Sequence, residues 1–533
     1  MQPMPSLATI ITAARAGSIG YANRLFEQGG WAARSDDAAA LATRARLLKD
    51  SALRAAVAQR PALLIAAAEA YAAADRLREQ PHTRINAATL RFLGGDHAGG
   101  QALAADLLRW MDTQARLDET PWFLAATRAE AHLLCGDVAA AGAVMQQACA
   151  ANPDGWDDRA VTLRQLALVS AAMGIGPDWL APFRPPISVN FAGHLGLAAD
   201  RDQAARAAVE GWLDDHPVGF AFGALAAGCD IVLAEAALAR GAELHVVLPL
   251  GIDAFFAQSI APFDPAWARR FAACLDAASS VQCLTSLHGA YEPLATQLAA
   301  DVAMGAAALN ARRLFGEAWQ LLLVDDAPGR FGGGLGTRRI AERWRDHDRQ
   351  AVLVTPRTAP VIASGARSTA EGRADRRLAT MLVIGFDGLD TCDEATFAEA
   401  IDAVITPFRA HLAELPVQPD LTMPLGNARL VAFAEPDAAW AFARAVLALA
   451  SPAMPLRIAG HHGLAHWLDT PPALVGRAVA DCILIASAAL PGVLIASETL
   501  AAALCINQAE AITAEHVGEI GAIRLFALSA ADQ

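Results

Sequence analysis

The chain has almost no lysine: of its 42 basic residues, all but Lys49 are arginine. A phosphate loop built on G-K-[ST] and a strand-borne lysine of the V-A-I-K type are thereby excluded. Charge of either sign is scarce, at 18% of residues, and the balance is acidic, with a net charge of −14. That balance argues against generic binding to nucleic acid or to an anionic membrane. No arginine cluster with interleaved aromatics reverses it. The motifs C-x-x-C, H-E-x-x-H and G-x-S-x-G are absent. The eight cysteines show no paired His/Cys spacing, so they read as buried apolar residues in a reducing compartment, and no metal site is expected. Mean hydropathy is positive, yet no apolar run reaches the 18 residues of a membrane span. The opening MQPMPSLATIITAARAGS lacks the basic start and cleavage pattern of a secretory signal, and a cytoplasmic location is expected.

What the chain does have is length and apolar content. Its 533 residues are 54% apolar, which favours packed helices and parallel strands over disorder. A single core stops growing near 250–300 residues, so two to four domains are expected.

Residues 1–185 read as helix after helix, Ala/Leu-rich at 3.6 periodicity. FLGGDHAGGQALAADLL (92–108) is echoed by LLCGDVAAAGAVMQQAC (133–149), an offset of about 40 residues that suggests a helical repeat. In each, a helix ends at Gly and an Asp caps the next. These phrases resemble a tetratricopeptide-like solenoid. ARLLKDSA (45–52) and INAATLRFLGGD (85–96) resemble the TRAF-binding helical domain of MAP kinase kinase kinases. The resemblance implies a protein partner held by the repeat; a plain helical scaffold is the alternative.

APFRPPI (181–187) breaks the array, and strands and helices alternate over 186–357 in a doubly wound, Rossmann-like α/β pattern. Two turns carry a mechanism. In FGALAAGCD, Gly223 and Gly228 permit tight backbone turns after a strand, as Gly193-His194 does after ISVNFA. In FGGGLGTRR, Gly332, Gly333, Gly334 and Gly336 are expected to precede a helix N-terminus suited to phosphate, with the Thr337 hydroxyl and the charges of Arg338 and Arg339 nearby. Asp230 and Glu235 are the nearest acids to the first turn. Either is placed to accept a ribose hydroxyl or, equally, to face solvent on a helix. GGGLGTRRIAE resembles the P-G-G-x-G-T-x-x-E motif of the Lonely Guy phosphoribohydrolases, within the superfamily that includes DNA-processing protein A. The resemblance implies binding of a nucleotide-like ligand. Arg339 and Ile340 stand about where the family's catalytic Glu is expected, with Glu342 a turn later, so hydrolysis is not implied. Residues 358–378, small and polar without periodicity, read as a linker.

From Arg376 the chain runs RRLATMLVIGFDGLD, LTMPLGNARLVAF, PLRIAGHHG, ALVGRAVADCILIAS and PGVLIASETL. That order of segments resembles a class III adenylate/guanylate cyclase domain, and implies an α+β, ferredoxin-like fold over 379–533. The family's two metal-binding Asp, which hold the triphosphate for two-metal chemistry, fall on Gly385 and Asn427. Its base-reading positions fall on Met423 and Ala473, and its ribose- and phosphate-orienting Asn and Arg on Ala480 and Leu484. Asp387, two residues on along the strand, lies roughly 6–7 Å from the empty position at about 3.3 Å per residue, too far to restore it. His461 and His462 end a strand of the frame and read as structural.

The expectation is a multidomain protein: an all-α helical repeat, a Rossmann-like parallel sheet, and a cyclase-like domain without catalytic residues. It would act as a homodimeric signalling protein sensing a nucleotide-derived ligand, with no certain cofactor. An atypical cyclase, a nucleotide N-glycosidase and a pure scaffold are the alternatives.

Overall fold

The computed structural model describes residues 4–114, 116–197, 202–285, 292–325, 335–344, 349–355, 375–386, 393–449, 456–507 and 511–530. The chain forms two compact units. One is made by the chain up to Pro185 and the segment Arg313–Phe315, the other by Pro186–Arg312 and Gly316–Ala531.

The first unit is helical: α1 (Leu7–Arg15), α2 (Ile19–Gln28), α3 (Ala38–Arg54), α4 (Arg60–Leu77), α5 (Pro81–Leu93), α6 (His97–Thr113), α7 (Pro121–Leu134), α8 (Val138–Ala151) and α9 (Trp156–Ala172). The echoed segments fold alike. Between α5 and α6 the Asp96 N–H returns to the Arg91 carbonyl and the Gly95 N–H to Phe92; between α7 and α8, Asp137 returns to His132 and Gly136 to Leu133. Both glycines take the left-handed conformation this closure needs, at φ 98° and 84°. Asp96 and Asp137 then cap the following helices, accepting from the Gly99 and Ala140 N–H groups. At Gly100 a methyl would lie 2.7 Å from the Phe92 Cβ, so α6 crosses α5 closely there. Leu107, Leu133, Leu134, Met145, Leu163 and Leu166 share the core.

In the second unit, β1 (Ile187–Gly193), β2 (Val218–Gly223), β3 (Glu243–Leu248), β4 (Ser280–Cys283), β5 (Ala318–Asp325) and β6 (Gln350–Thr355) form a sheet of order β4-β3-β2-β1-β5-β6. Every pairing in it is parallel. The helices between them are α10 (Gln203–Asp215), α11 (Cys229–Ala239), α12 (Ile252–Ser259), α13 (Ala266–Ala277), α14 (Pro293–Arg313) and α15 (Leu335–Arg343). The strand order reverses between β1 and β5.

The rest of this unit is a mixed sheet of β7 (Arg376–Phe386), β8 (Leu421–Leu425), β9 (Ala428–Phe433), β10 (Leu456–Asp469), β11 (Pro472–Val475), β12 (Leu494–Ser497), β13 (Ile512–Ile520) and β14 (Ile523–Ala530). Its helices are α16 (Glu394–Ala400), α17 (Thr406–Glu414), α18 (Pro436–Ala448), α19 (Arg477–Ser487) and α20 (Glu498–Asn507). The first six elements of the pattern, with strands in the order β10-β7-β9-β8, make the split βαββαβ arrangement of ferredoxin-like folds. α18 and α20 cover the face bearing Leu382, Ile384 and Val431. α19 covers the other, where the Cys482 thiol donates to the Met381 carbonyl.

Two results depart from the sequence reading. β7 begins at Arg376, inside the stretch read as a linker. Two arginines of that stretch are engaged: Arg376 pairs with buried Glu292, and Arg377 lies 4.3 Å over the Trp467 ring. The parallel and mixed sheets also share a helix. α14 packs Val302 and Ala303 with Val247 of β3, while its Ala308 and Leu309 enter the core of the mixed sheet.

Candidate functional site

Where the strand order of a parallel sheet reverses, the two adjacent loops run to opposite faces and leave a crevice at the carboxyl ends, the usual ligand position in such folds. Here that point lies between β1 and β5. Gly193 is in register with Leu323, and the His194 N–H donates to the Leu323 carbonyl at 3.1 Å. In the chain, the glycine-rich segment lies between β5 and α15. Gly332, Gly333 and Gly334 fall outside the described residues. Gly336 does not precede the helix, as expected, but lies in its first turn; it is exposed, and a methyl there would meet nothing within 4 Å. Thr337 is buried. Arg338 is exposed and pairs with Glu342 one turn on, whereas Arg339 turns to Asp301 of α14. Arg343 joins the same carboxylate. Asp301, which no sequence motif singles out, therefore anchors α15 to α14.

The remaining positions of the first turn are tied together by backbone. The Cys229 N–H donates to the His194 carbonyl, and Gly196 to Ala227. A side chain at Gly193 would strike the Cys229 Cβ, and one at Gly223 would lie 2.6 Å from the Phe191 ring. Gly228, at φ 119°, has the His194 carbonyl oxygen 2.9 Å from where a Cβ would be. Protein packing alone thus requires glycine at all three. Asp230 accepts from the Gly193 N–H at 2.8 Å and the Ala226 N–H at 3.2 Å. Burial raises its pKa to about 7, with the two donors offsetting part of the effect. Its carboxylate braces the loops after β1 and β2. Glu235 is held by Arg270 at 2.7 Å and by Arg206 of α10, so it clamps three helices together instead of facing solvent.

The second cluster is in the mixed sheet. Ile384 pairs with Arg429, and a methyl on Gly385 would lie 3.7 Å from the Ala428 Cβ. Asn427 is the next residue, in the Gly426-Asn427 hairpin between β8 and β9. Gly385 and Asn427, the positions the sequence reading compared with metal ligands, are thus neighbours, and neither carries a carboxylate; Asp387 falls outside the described residues. The Met423 Sδ accepts from the Leu474 N–H at 3.5 Å, which brings Met423 beside Ala473. Ala480 and Leu484 are exposed on α19. Gly385 and Met423 alternate with Ile384 and Val431, so they lie on the α19 face. His461 and His462 are buried, with pKa values lowered by burial to about 4, and His462 Nδ1 is 2.9 Å from the Thr380 hydroxyl.

No family model and no curated protein matches the chain. Solved structures do. The adenylyl cyclase CyaB from P. aeruginosa is similar over 29% of this chain and 94% of its own, at 12% identity and a TM-score of 0.25. The guanylate cyclase domain of RhGC from Catenaria anguillulae, in complex with GTP, is similar over 30% of this chain and 100% of its own, at 14% and 0.24. An adenylate/guanylate cyclase/hydrolase from Silicibacter pomeroyi is similar over 29% and 98%, at 17% and 0.24. Among the described residues, no helix is long and apolar enough to cross a membrane.

Proposed function

We propose that this chain is a signalling protein that binds a nucleotide-derived ligand at the reversal point of its parallel sheet and carries a catalytically silent cyclase-like domain. The observation that carries the ligand site is the pairing of the β1 end, at Gly193-His194, with the end of β5, the strand that α15 follows in the chain. Backbone N–H groups and the helix dipole at that N-terminus favour a phosphate. Among the described residues, nothing stands within 4 Å of a Cβ at Gly336, which leaves room for close approach.

Silence of the cyclase-like domain is supported by chemistry. Two-metal phosphoryl transfer needs hard oxygen ligands and a cationic group on the developing charge. The clustered positions supply Gly385, Asn427, Met423, Ala473, Ala480 and Leu484. The domain would serve as a dimerisation surface: Leu468, Val475, Ile483 and Leu484 are exposed apolar residues on β10, β11 and α19. The helical unit, with its repeated closures, would hold a protein partner in tetratricopeptide fashion.

Incubation of the full chain with each nucleoside triphosphate and monophosphate and Mg²⁺ or Mn²⁺, followed by chromatography, separates the readings. Binding without cyclic product or released base supports the proposal; turnover supports an enzyme; no binding supports a scaffold.

A further inference from the structure

The face of the mixed sheet opposite Gly385 and Met423 carries an open cavity of about 210 Å3, lined by Arg409, Leu412, Gln418, Thr422, Arg429 and Phe442, among others. Its walls come from α17, the strand pair β8 and β9, and α18. Register accounts for the lining. Thr422 pairs with Val431, and Arg429 is two residues before it, so all three side chains share the face on which Val431 and Phe442 are buried. Gln418 fixes one wall by donating to the Leu412, Ala413 and Leu415 carbonyls at the end of α17.

The two arginines are the informative part. Neither guanidinium has an ion-pair or hydrogen-bond partner among the described residues. This occurs in a chain with a net charge of −14, where Arg339, Arg376 and Arg524 each hold a buried acid. Both line one cavity, Arg409 exposed and Arg429 half-buried, so an anion seated there is attracted by both charges. The planar fork of each suits a carboxylate or phosphate, held by paired hydrogen bonds. Beneath them, Leu412, Val431 and Phe442 offer an apolar floor. The volume falls below the roughly 300–1,000 Å3 of sites for drug-sized ligands, so the occupant is small.

We infer that this cavity binds a small organic anion, its carboxylate or phosphate gripped by Arg409 and Arg429 and its apolar body seated on Phe442 and Val431. The site is separate from the reversal point of the parallel sheet and stands or falls independently of it.

Calorimetric titration of the full chain with phenyl phosphate and with benzoate tests this, with inorganic phosphate and benzyl alcohol reporting the head and the body alone. The expected result is one-site binding of at least one aryl anion, tighter than either control; which of the two anions binds identifies the head group. The double variant Arg409→Gln/Arg429→Gln weakens it by about tenfold or more, the loss of at least one charged hydrogen bond. Arg429→Lys weakens it less than Arg429→Gln, because charge is kept and the fork is lost. Gly336→Val leaves it unchanged. Circular dichroism and thermal melting confirm that the variants are folded. Failure of both aryl anions to bind, equal binding by the double variant, or benzyl alcohol binding as tightly as either anion would overturn the inference.

Discussion

Gly305 of α14 rests on Ala502 of α20 so closely that a methyl on Gly305 would sit 2.2 Å from the Ala502 carbonyl oxygen. The contact joins the helix that packs on the parallel sheet to the helix that packs on the mixed sheet. Backbone stands on the far side, so no flexible side chain is available to move. Gly305→Ala should therefore destabilise the second unit by about 1–3 kcal/mol through overpacking, read as a lower denaturation midpoint at constant slope. An unchanged midpoint would mean that the two helices are not held at this distance.

Asp301 gives a second test. Its carboxylate is 5% exposed and meets Arg339 at 2.9 Å and Arg343 at 3.4 Å. Asp301→Asn leaves two partly buried guanidiniums without a counter-charge. The expected loss is roughly 3 kcal/mol, at the lower end for a broken buried pair because Arg339 is partly solvated. Chemical denaturation measures it, and a loss close to zero would contradict the anchoring role.

Buried histidines and a buried aspartate make stability depend on pH in opposite directions. His461 and His462 have folded pKa values of about 4, below the roughly 6.5 of an unfolded histidine. Each contributes stability that is complete above pH ~6.5 and is lost as pH falls toward 4. Asp230, raised to about 7, acts oppositely: its protonated form is favoured by folding, so its contribution is present at low pH and lost as pH rises through 7. In the window between, two protons taken up on unfolding oppose one released. His461→Phe should lower the slope of stability against pH by about one proton relative to the wild type. Parallel slopes for the two proteins would show that His461 is not buried in its neutral form.

The cluster at Gly385 and Asn427 can be tested chemically. The register beside Ala428 leaves room for a side chain at Gly385, so Gly385→Asp with Asn427→Asp should fold and acquire divalent-ion binding, visible by calorimetry with Mn²⁺. It should still make no cyclic nucleotide, because Ala480 and Leu484 provide no contact to the transition state. Cyclic product from the wild type would refute silence outright.

The helix closures at Gly95-Asp96 and Gly136-Asp137 were legible in sequence because a left-handed glycine followed by a capping carboxylate is a local signal. So were β1, β2, β3, β5 and β6, whose apolar runs are bounded by turns. β4 was not: its SVQC has no apolar run and sits at the sheet edge, where little of it is buried. The role of α14 between the two sheets was not legible, because a helix buried on most sides has no polar stripe to reveal which sheet it serves. In the candidate site, the glycines were visible but their reasons were not. Gly193 and Gly223 are explained by Cys229 and Phe191, which come close only after folding. The acids Asp230 and Glu235 were seen, while their partners on other elements were out of reach of a local pattern. Arg409 and Arg429 gave no signal, being 20 residues apart on elements brought together by the βαββαβ crossing.

The most direct test of the central claim is calorimetric titration of the full chain, wild type and Gly336→Val, with a panel of nucleoside mono-, di- and triphosphates. Among the described residues, valine at Gly336 meets no atom within 4 Å of its Cβ, so a change in binding reports the ligand. The account predicts that at least one nucleotide binds the wild type, raising stability by about 2.7 kcal/mol at 100 times its dissociation constant, and that Gly336→Val binds it markedly less well. Equal binding by both proteins would place the ligand elsewhere, and binding by neither would contradict the account.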